Sequence, residues 1–136
     1  MQSILRGLAA IFFIVAGLFH FWKPQLYLQI VPPSFPVPQL LVAVSGVAEI
    51  AGGIGLLIRF VRRVAGWGLI LWLIAVFPAN IYMAQHPGQF HFAPWLLWAR
   101  LPFQGIFMAW VWFVAIRPPP RQPAKAENTE EERAAI

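Results

Sequence analysis

The chain has 136 residues, of which 60% are hydrophobic and 11% charged, with a net charge of +5. A soluble domain is about 45–50% apolar and about 25% charged; here residues 1–116 carry only Arg6, Lys23, Arg59, Arg62, Arg63 and Arg100 against one acid, Glu49, and no Asp. So few charges cannot solvate a globular surface, which excludes a soluble fold and leaves an integral membrane protein. The basic residues sit at the ends of apolar runs, so no nucleic-acid-binding patch is expected. With no cysteine, the chain has no disulfide framework, no thiolate metal site and no thiol chemistry of its own.

Four segments reach the about 20 apolar residues needed to cross about 30 Å of hydrocarbon. The first covers residues 4–22 and ends in Phe19-His20-Phe21-Trp22-Lys23-Pro24. That ending has no small-residue cleavage site, so the segment is expected to be a retained helix and not a removed signal. The link that follows has prolines at 24, 32, 33, 36 and 38, so no regular helix passes through Val31 to Pro38. Gln25 to Ile30 is expected as one or two interfacial turns, with Tyr27 and Leu28 turned to lipid. The second span covers 39–58 and the third 64–84. A turn-rich link, Gln85 to Ala93, leads to the fourth span, 94–116. The expected architecture is all-α, a membrane four-helix bundle over residues 1–116. Residues 117–136, with four basic and four acidic side chains, are expected as a disordered polar tail.

Lys and Arg orient the bundle. The N-terminus, the second link and the C-terminal end collect Arg6, Arg59, Arg62, Arg63, Arg117 and Arg121, whereas the opposite side has only Lys23 outside the spans. Both termini are therefore expected in the cytoplasm, with the other two links outside. Trp22, Tyr27, Tyr82, Trp95 and Trp98 fall at the outer boundary as an aromatic belt.

An ionisable group inside a span costs about 2.5–3.5 kcal/mol on insertion scales and is a functional candidate by default. Counted from the outer ends at about 1.5 Å per residue, Glu49 and Gln104 lie about 15 Å deep and Arg100 about 9 Å, with His20 and Asn80 within about 3–6 Å. With Ser45 on the Glu49 face, the candidate ligand-binding set is His20, Ser45, Glu49, Asn80, Arg100 and Gln104, all in the outer half. Small neighbours surround Glu49, including Gly46, Gly52 and Gly53, so it points into the bundle. A Glu49–Arg100 ion pair is expected, since it would neutralise both charges. Pro78 and Pro102 free the carbonyls of Ile74 and Trp98 for other partners. The same polar groups could instead fix helix register with no ligand, and His20 could simply bond a backbone carbonyl. The spacing of His20, His86 and His91 matches no metal motif, and a single intraspan histidine excludes bis-histidine haem. Trp67, Trp72, Trp110 and Trp112 read as packing or lipid-facing groups.

Three stretches, Gly17-Leu18-Phe19-His20-Phe21 with Pro24, Ser45 to Leu57, and Phe77-Pro78-Ala79-Asn80-Ile81-Tyr82-Met83, resemble the DoxX-like membrane proteins. Arg100-Leu101-Pro102-Phe103-Gln104 fits the same pattern, and the resemblance covers about residues 4 to 116. It implies a four-helix membrane fold related to the DoxD and MauE proteins, in a bacterial plasma membrane. Members are associated with redox functions, such as a subunit of thiosulfate:quinone oxidoreductase, or with helping other proteins mature at the membrane. The expected function is therefore binding of a lipid-soluble small molecule, a quinone first among them, without catalysis by this chain alone. The alternative is a non-catalytic subunit or assembly factor with a membrane-protein partner or a second copy of itself.

Overall fold

The computed structural model describes residues 1–117, which are helical with no strand. The long helices are α1 (Gln2–Trp22), α3 (Pro38–Leu57), α4 (Arg62–Gln85) and α5 (Pro94–Val111), with a short α2 (Pro24–Leu28) after α1. A 3₁₀ turn (Pro87–Gln89) lies between α4 and α5, and a π turn (Trp112–Ile116) extends α5. Four helices, α5 counted through its π turn, are long and apolar enough to cross a membrane. Their ends fall within a turn of the spans expected from composition. The expected tail lies outside the described residues beyond Arg117.

Proline sets the helix starts. Pro24, Pro38 and Pro94 each open a helix, where the missing N–H has no intrahelical acceptor to lose and the fixed φ suits the first turn. At the other end of α3, Arg62 Nε donates to the Leu56 carbonyl at 3.1 Å and occupies one of the free acceptors there. Arg62 also lies within electrostatic reach of Arg6 and Arg59, so these arginines gather at the end of the bundle that carries the N-terminus and Arg117. We call this the terminal end and the opposite one the link end.

The helices associate as two tight pairs. In the first, α1 and α3 touch backbone to backbone. A Cβ placed on Gly17 would come to 2.6 Å from the Gly46 carbonyl oxygen, and one on Gly53 to 2.8 Å from that of Ala10. Gly46 and Gly53 are two helical turns apart on one face of α3. The neighbouring face, Gly52 and Gly55, receives Leu69 and Ala65 of α4. The second pair is α4 with α5, where Gly66 admits Ala115 and polar side chains join the helices further along. In lipid no hydrophobic force drives helices together, so such small-residue approaches supply the packing.

Among the described residues, the two pairs share a core only at the terminal end. Ala9, Ala10 and Phe13 of α1 meet Leu56 of α3, Leu69 and Ile70 of α4, and Val111, Val114 and Ala115 from the α5 end. At the link end the buried cluster Met83, Ala84, Phe90 and Leu97 belongs to the α4–α5 pair and its loop, joined by Ile30 from the link after α2. The bundle is thus clamped at one end and parted at the other. Its outward stripes are apolar: Ile4, Leu8, Ile11, Val15 and Leu18 on α1 and Val64, Trp67, Leu71 and Ile74 on α4 are all exposed. These faces form far more exposed hydrocarbon than a soluble monomer tolerates.

Gly17→Val should lower the unfolding free energy in detergent by about 1–3 kcal/mol, the usual cost of overpacking. Gly105→Ala, where a Cβ meets nothing within 4 Å, should leave it unchanged or slightly raised. A chemical denaturation series on the two variants checks both.

Candidate functional site

Where the pairs part, the link half encloses a cavity of about 450 Å³, within the size range of small-molecule sites. All six candidates named from sequence line it: His20 from α1, Ser45 and Glu49 from α3, Asn80 from α4, and Arg100 and Gln104 from α5. Ile30, Val31, Pro32 and Phe35 of the proline-rich link fold over its mouth. Each long helix supplies a polar group, and the link supplies an apolar roof.

Local bonding sorts the six. Ser45 Oγ donates to the Leu41 carbonyl at 2.8 Å, one turn back on its own helix. Asn80 Nδ2 donates to Gln104 Oε1 at 2.9 Å, and Gln104 Nε2 donates to the Leu73 carbonyl. This chain of bonds ties α4 to α5 through a buried Gln104. Gln104 thus meets the α4 backbone at Leu73, one residue before the Ile74 carbonyl that Pro78 leaves free.

The expected Glu49–Arg100 ion pair does not form among the described residues. Glu49 belongs to the α1–α3 pair, and its nearest charge partner is His20, with Nδ1 at 3.8 Å from Oε2, too long for a hydrogen bond. Arg100 is held on the other side of the cavity, with Nη1 at 3.7 Å from Met83 Sδ and its guanidinium 5.8 Å from the centre of the Phe92 ring. The parting of the pairs keeps the acid and the base apart. His20 Nδ1 lies 3.0 Å from the Ala16 carbonyl oxygen. A carbonyl can only accept, so the proton sits on Nδ1 and leaves Nε2 unassigned.

Two residues read otherwise from sequence belong to the site. Tyr27, expected to face lipid, lines the cavity and stacks on His20 with ring centres 3.7 Å apart. Burial pushes its hydroxyl above the usual phenol range; the nearby Glu49 charge adds to this and Arg100 opposes it. Both charges are therefore within reach of Tyr27. Trp72, read as packing, also lines the cavity, and its Nε1 is buried without a hydrogen-bond partner. Glu49 Oε2 is the other buried polar atom of the cavity residues left unpartnered. Spacing carried a signal for Trp72, since Trp72, Val76 and Asn80 are four apart along one face of α4; for Tyr27 it carried none, because the break at Lys23 separates it from the helix of His20.

The arrangement offers an apolar, partly aromatic chamber lined by residues that carry a carboxyl group, a phenol and a guanidinium. Nothing in it resembles a nucleophile with an adjacent base. Among the described residues, no group of three or more His, Asp or Glu side chains is placed to hold a metal ion. His86 is occupied at the surface, with Nδ1 at 2.9 Å from the Tyr82 carbonyl oxygen.

A family model described as a domain of unknown function, DUF8561, matches residues 8–115. No curated protein and no solved structure matches the chain.

The Asn80–Gln104 bond should show as coupling. A double-mutant cycle with Asn80→Ala and Gln104→Ala should give an interaction energy of about 0.5–1.7 kcal/mol, the range of interhelical bonds in membranes. Additive losses would mean that the two side chains are not bonded to each other.

Proposed function

The chain belongs to this family of unknown function, DUF8561, and from that premise we propose that it is an integral membrane protein that holds a lipid-soluble small molecule in the cavity between its helix pairs. In this reading both termini are cytoplasmic, because the arginine-bearing terminal end carries the charge bias of a cytoplasmic face. The cavity then lies in the outer half of a bacterial plasma membrane. The observation that carries the proposal is the convergence of polar side chains from all four long helices on one cavity. A bundle built only for packing has no need of a chamber, nor of an acid and a base left unpaired in its wall.

The ligand we favour has a compact polar head and an apolar body, and a quinone fits that description. Kinship with the DoxX-like proteins, proposed on the Ser45–Leu57 and Phe77–Met83 stretches, would put the ligand in a redox setting. The chain would act as a binding subunit and not as an enzyme on its own. A second reading is favoured by one observation: Asn80, Gln104 and the Leu73 carbonyl satisfy one another, as groups that only fix helix packing do. On that reading the chain is a non-catalytic subunit or assembly factor for a membrane partner.

Native mass spectrometry of the protein gently extracted from its own membrane separates the two. Binding predicts a discrete small-molecule adduct that falls about tenfold in Glu49→Gln, the effect of losing one buried partner, with helicity unchanged. Bare chain in both proteins, or adducts indifferent to Glu49, would favour the packing reading. Topology has its own test, since the chain lacks cysteine. Gly88→Cys should react with an impermeant maleimide in intact cells, and Phe60→Cys only after lysis; the reverse pattern would invert the orientation.

A further inference from the structure

The terminal end concentrates charge without its counterpart. Arg6, Arg59, Arg62 and Arg63 gather there, and the one acid among residues 1–117, Glu49, lines the cavity of the other half. Like charges are brought close across the fold, since Arg6 of α1 and Arg59 of the α3–α4 link both act on Arg62. Arg62 is held in that company by its bond to the Leu56 carbonyl, which uses Nε and leaves both Nη groups for other acceptors. The surroundings are apolar. Phe60, set among these arginines in the link, is 93% exposed, and Leu57, Ile58, Val61 and Val64 are exposed around it. An apolar groove on the outer surface starts at this spot. Its lining runs from Gly55 and Val61 through Ala65 and Gly68 to Trp72 and Ala75, and Gly55 adjoins Leu56, whose carbonyl holds Arg62. Val64 and Ala75 both line it, so it follows α4 for about 16 Å at about 1.5 Å per residue. That length matches one leaflet, half of the about 30 Å of hydrocarbon in a bilayer.

We propose that the α3–α4 groove holds one acyl chain of an anionic phospholipid, with its phosphate taken by the arginines at the groove's terminal end. The site is separate from the cavity and independent of what the cavity holds. Charge complementarity selects the head. Guanidinium groups crowded together, with no acid beside them among the described residues, are relieved by an anion set among them, and their forked N–H groups pair with phosphate oxygens. Apolar surface selects the rest of the molecule. A free phosphate would bind the arginines and leave the groove and Phe60 bare, whereas a phospholipid covers both. Phe60 then lies at the boundary between headgroups and acyl chains, where an apolar ring beside basic residues binds a membrane surface. In the orientation proposed above, this end meets the cytoplasmic leaflet, whose anionic lipids attract basic segments.

Native mass spectrometry of the delipidated full chain, titrated in detergent with dioleoylphosphatidylglycerol or dioleoylphosphatidylcholine, tests the site. The phosphatidylglycerol should bind more tightly. Arg59→Gln and Arg63→Gln, both at exposed positions, should each weaken it about fivefold, the worth of one basic residue at a lipid surface, and leave phosphatidylcholine binding unchanged. Gly68→Leu fills the groove at a position where a Cβ meets nothing within 4 Å, so it should lower phosphatidylglycerol binding at least as much, with helicity unchanged. Gly105→Leu, equally open but on α5, should leave that binding as it is. Equal binding of the two lipids, or phosphatidylglycerol binding indifferent to the arginines or to Gly68→Leu, would overturn the proposal. Displacement of the lipid by excess inorganic phosphate would also overturn it, in favour of a free-anion site. A dimer lost in Gly68→Leu would do the same, and would make the groove an interface between copies of this chain.

Discussion

The backbones of α1 and α3 are in contact at Gly17 with Gly46 and at Gly53 with Ala10, and the positions of the polar groups follow from that contact. It leaves no room for a third helix between them, so α4 and α5 must pack together and meet the first pair along its flanks. Large apolar side chains from all four helices then fill the terminal end. At the link end the proline-rich segment after α2 lies over the gap and no common core forms. A chamber in that half is the consequence of packing two rigid pairs that share one clamp.

The same division governs the electrostatics. A lone acid and a lone base in an apolar interior are each costly, and pairing them would be the simplest relief. This bundle places Glu49 and Arg100 on different pairs. Arg100 rests on Met83 and the Phe92 ring near the link end, and Glu49 faces His20. Asn80 and Gln104 sit on one pair and satisfy each other. The polar residues therefore divide into a pair bonded between α4 and α5, Ser45 and His20 tied to carbonyls of their own helices, and an acid and a base that make no ion pair. All of them, with Tyr27 and Trp72, line one cavity, and that convergence carries the functional reading.

Much of this was legible in the sequence for physical reasons. Apolar run lengths and proline positions mark the helices, because hydrocarbon thickness and the missing proline N–H act locally. Helix direction then sets the depth of each polar group, which is why six residues from four helices could be assigned to one half of the bundle. Partner choice was not legible. The Glu49–Arg100 pairing was inferred from depth and charge alone, and depth says nothing of how far apart two pairs stand across a cavity. Tyr27 was misread because α2 turns back over the bundle at Lys23, whose φ of −129° and ψ of 57° redirect the chain. Trp72 reads as packing because tryptophan in a span ordinarily is, and only its place in the cavity wall distinguishes it from Trp110, whose Nε1 is equally unpartnered.

A bundle whose helix pairs share a core at the terminal end and stand apart at the link end has its give at the link end. Electron-electron spin distances measure this directly, since labels can be placed on introduced cysteines in a chain that has none of its own. One pair of labels would replace the exposed Trp22 and Trp95 at the link end, and another Ile4 and Trp112 at the terminal end. Comparing delipidated protein in detergent with protein in nanodiscs of its native lipid, the account predicts a link-end distance that changes or sharpens and a terminal-end distance that does not. Equal shifts at both ends, or movement confined to the terminal end, would contradict it.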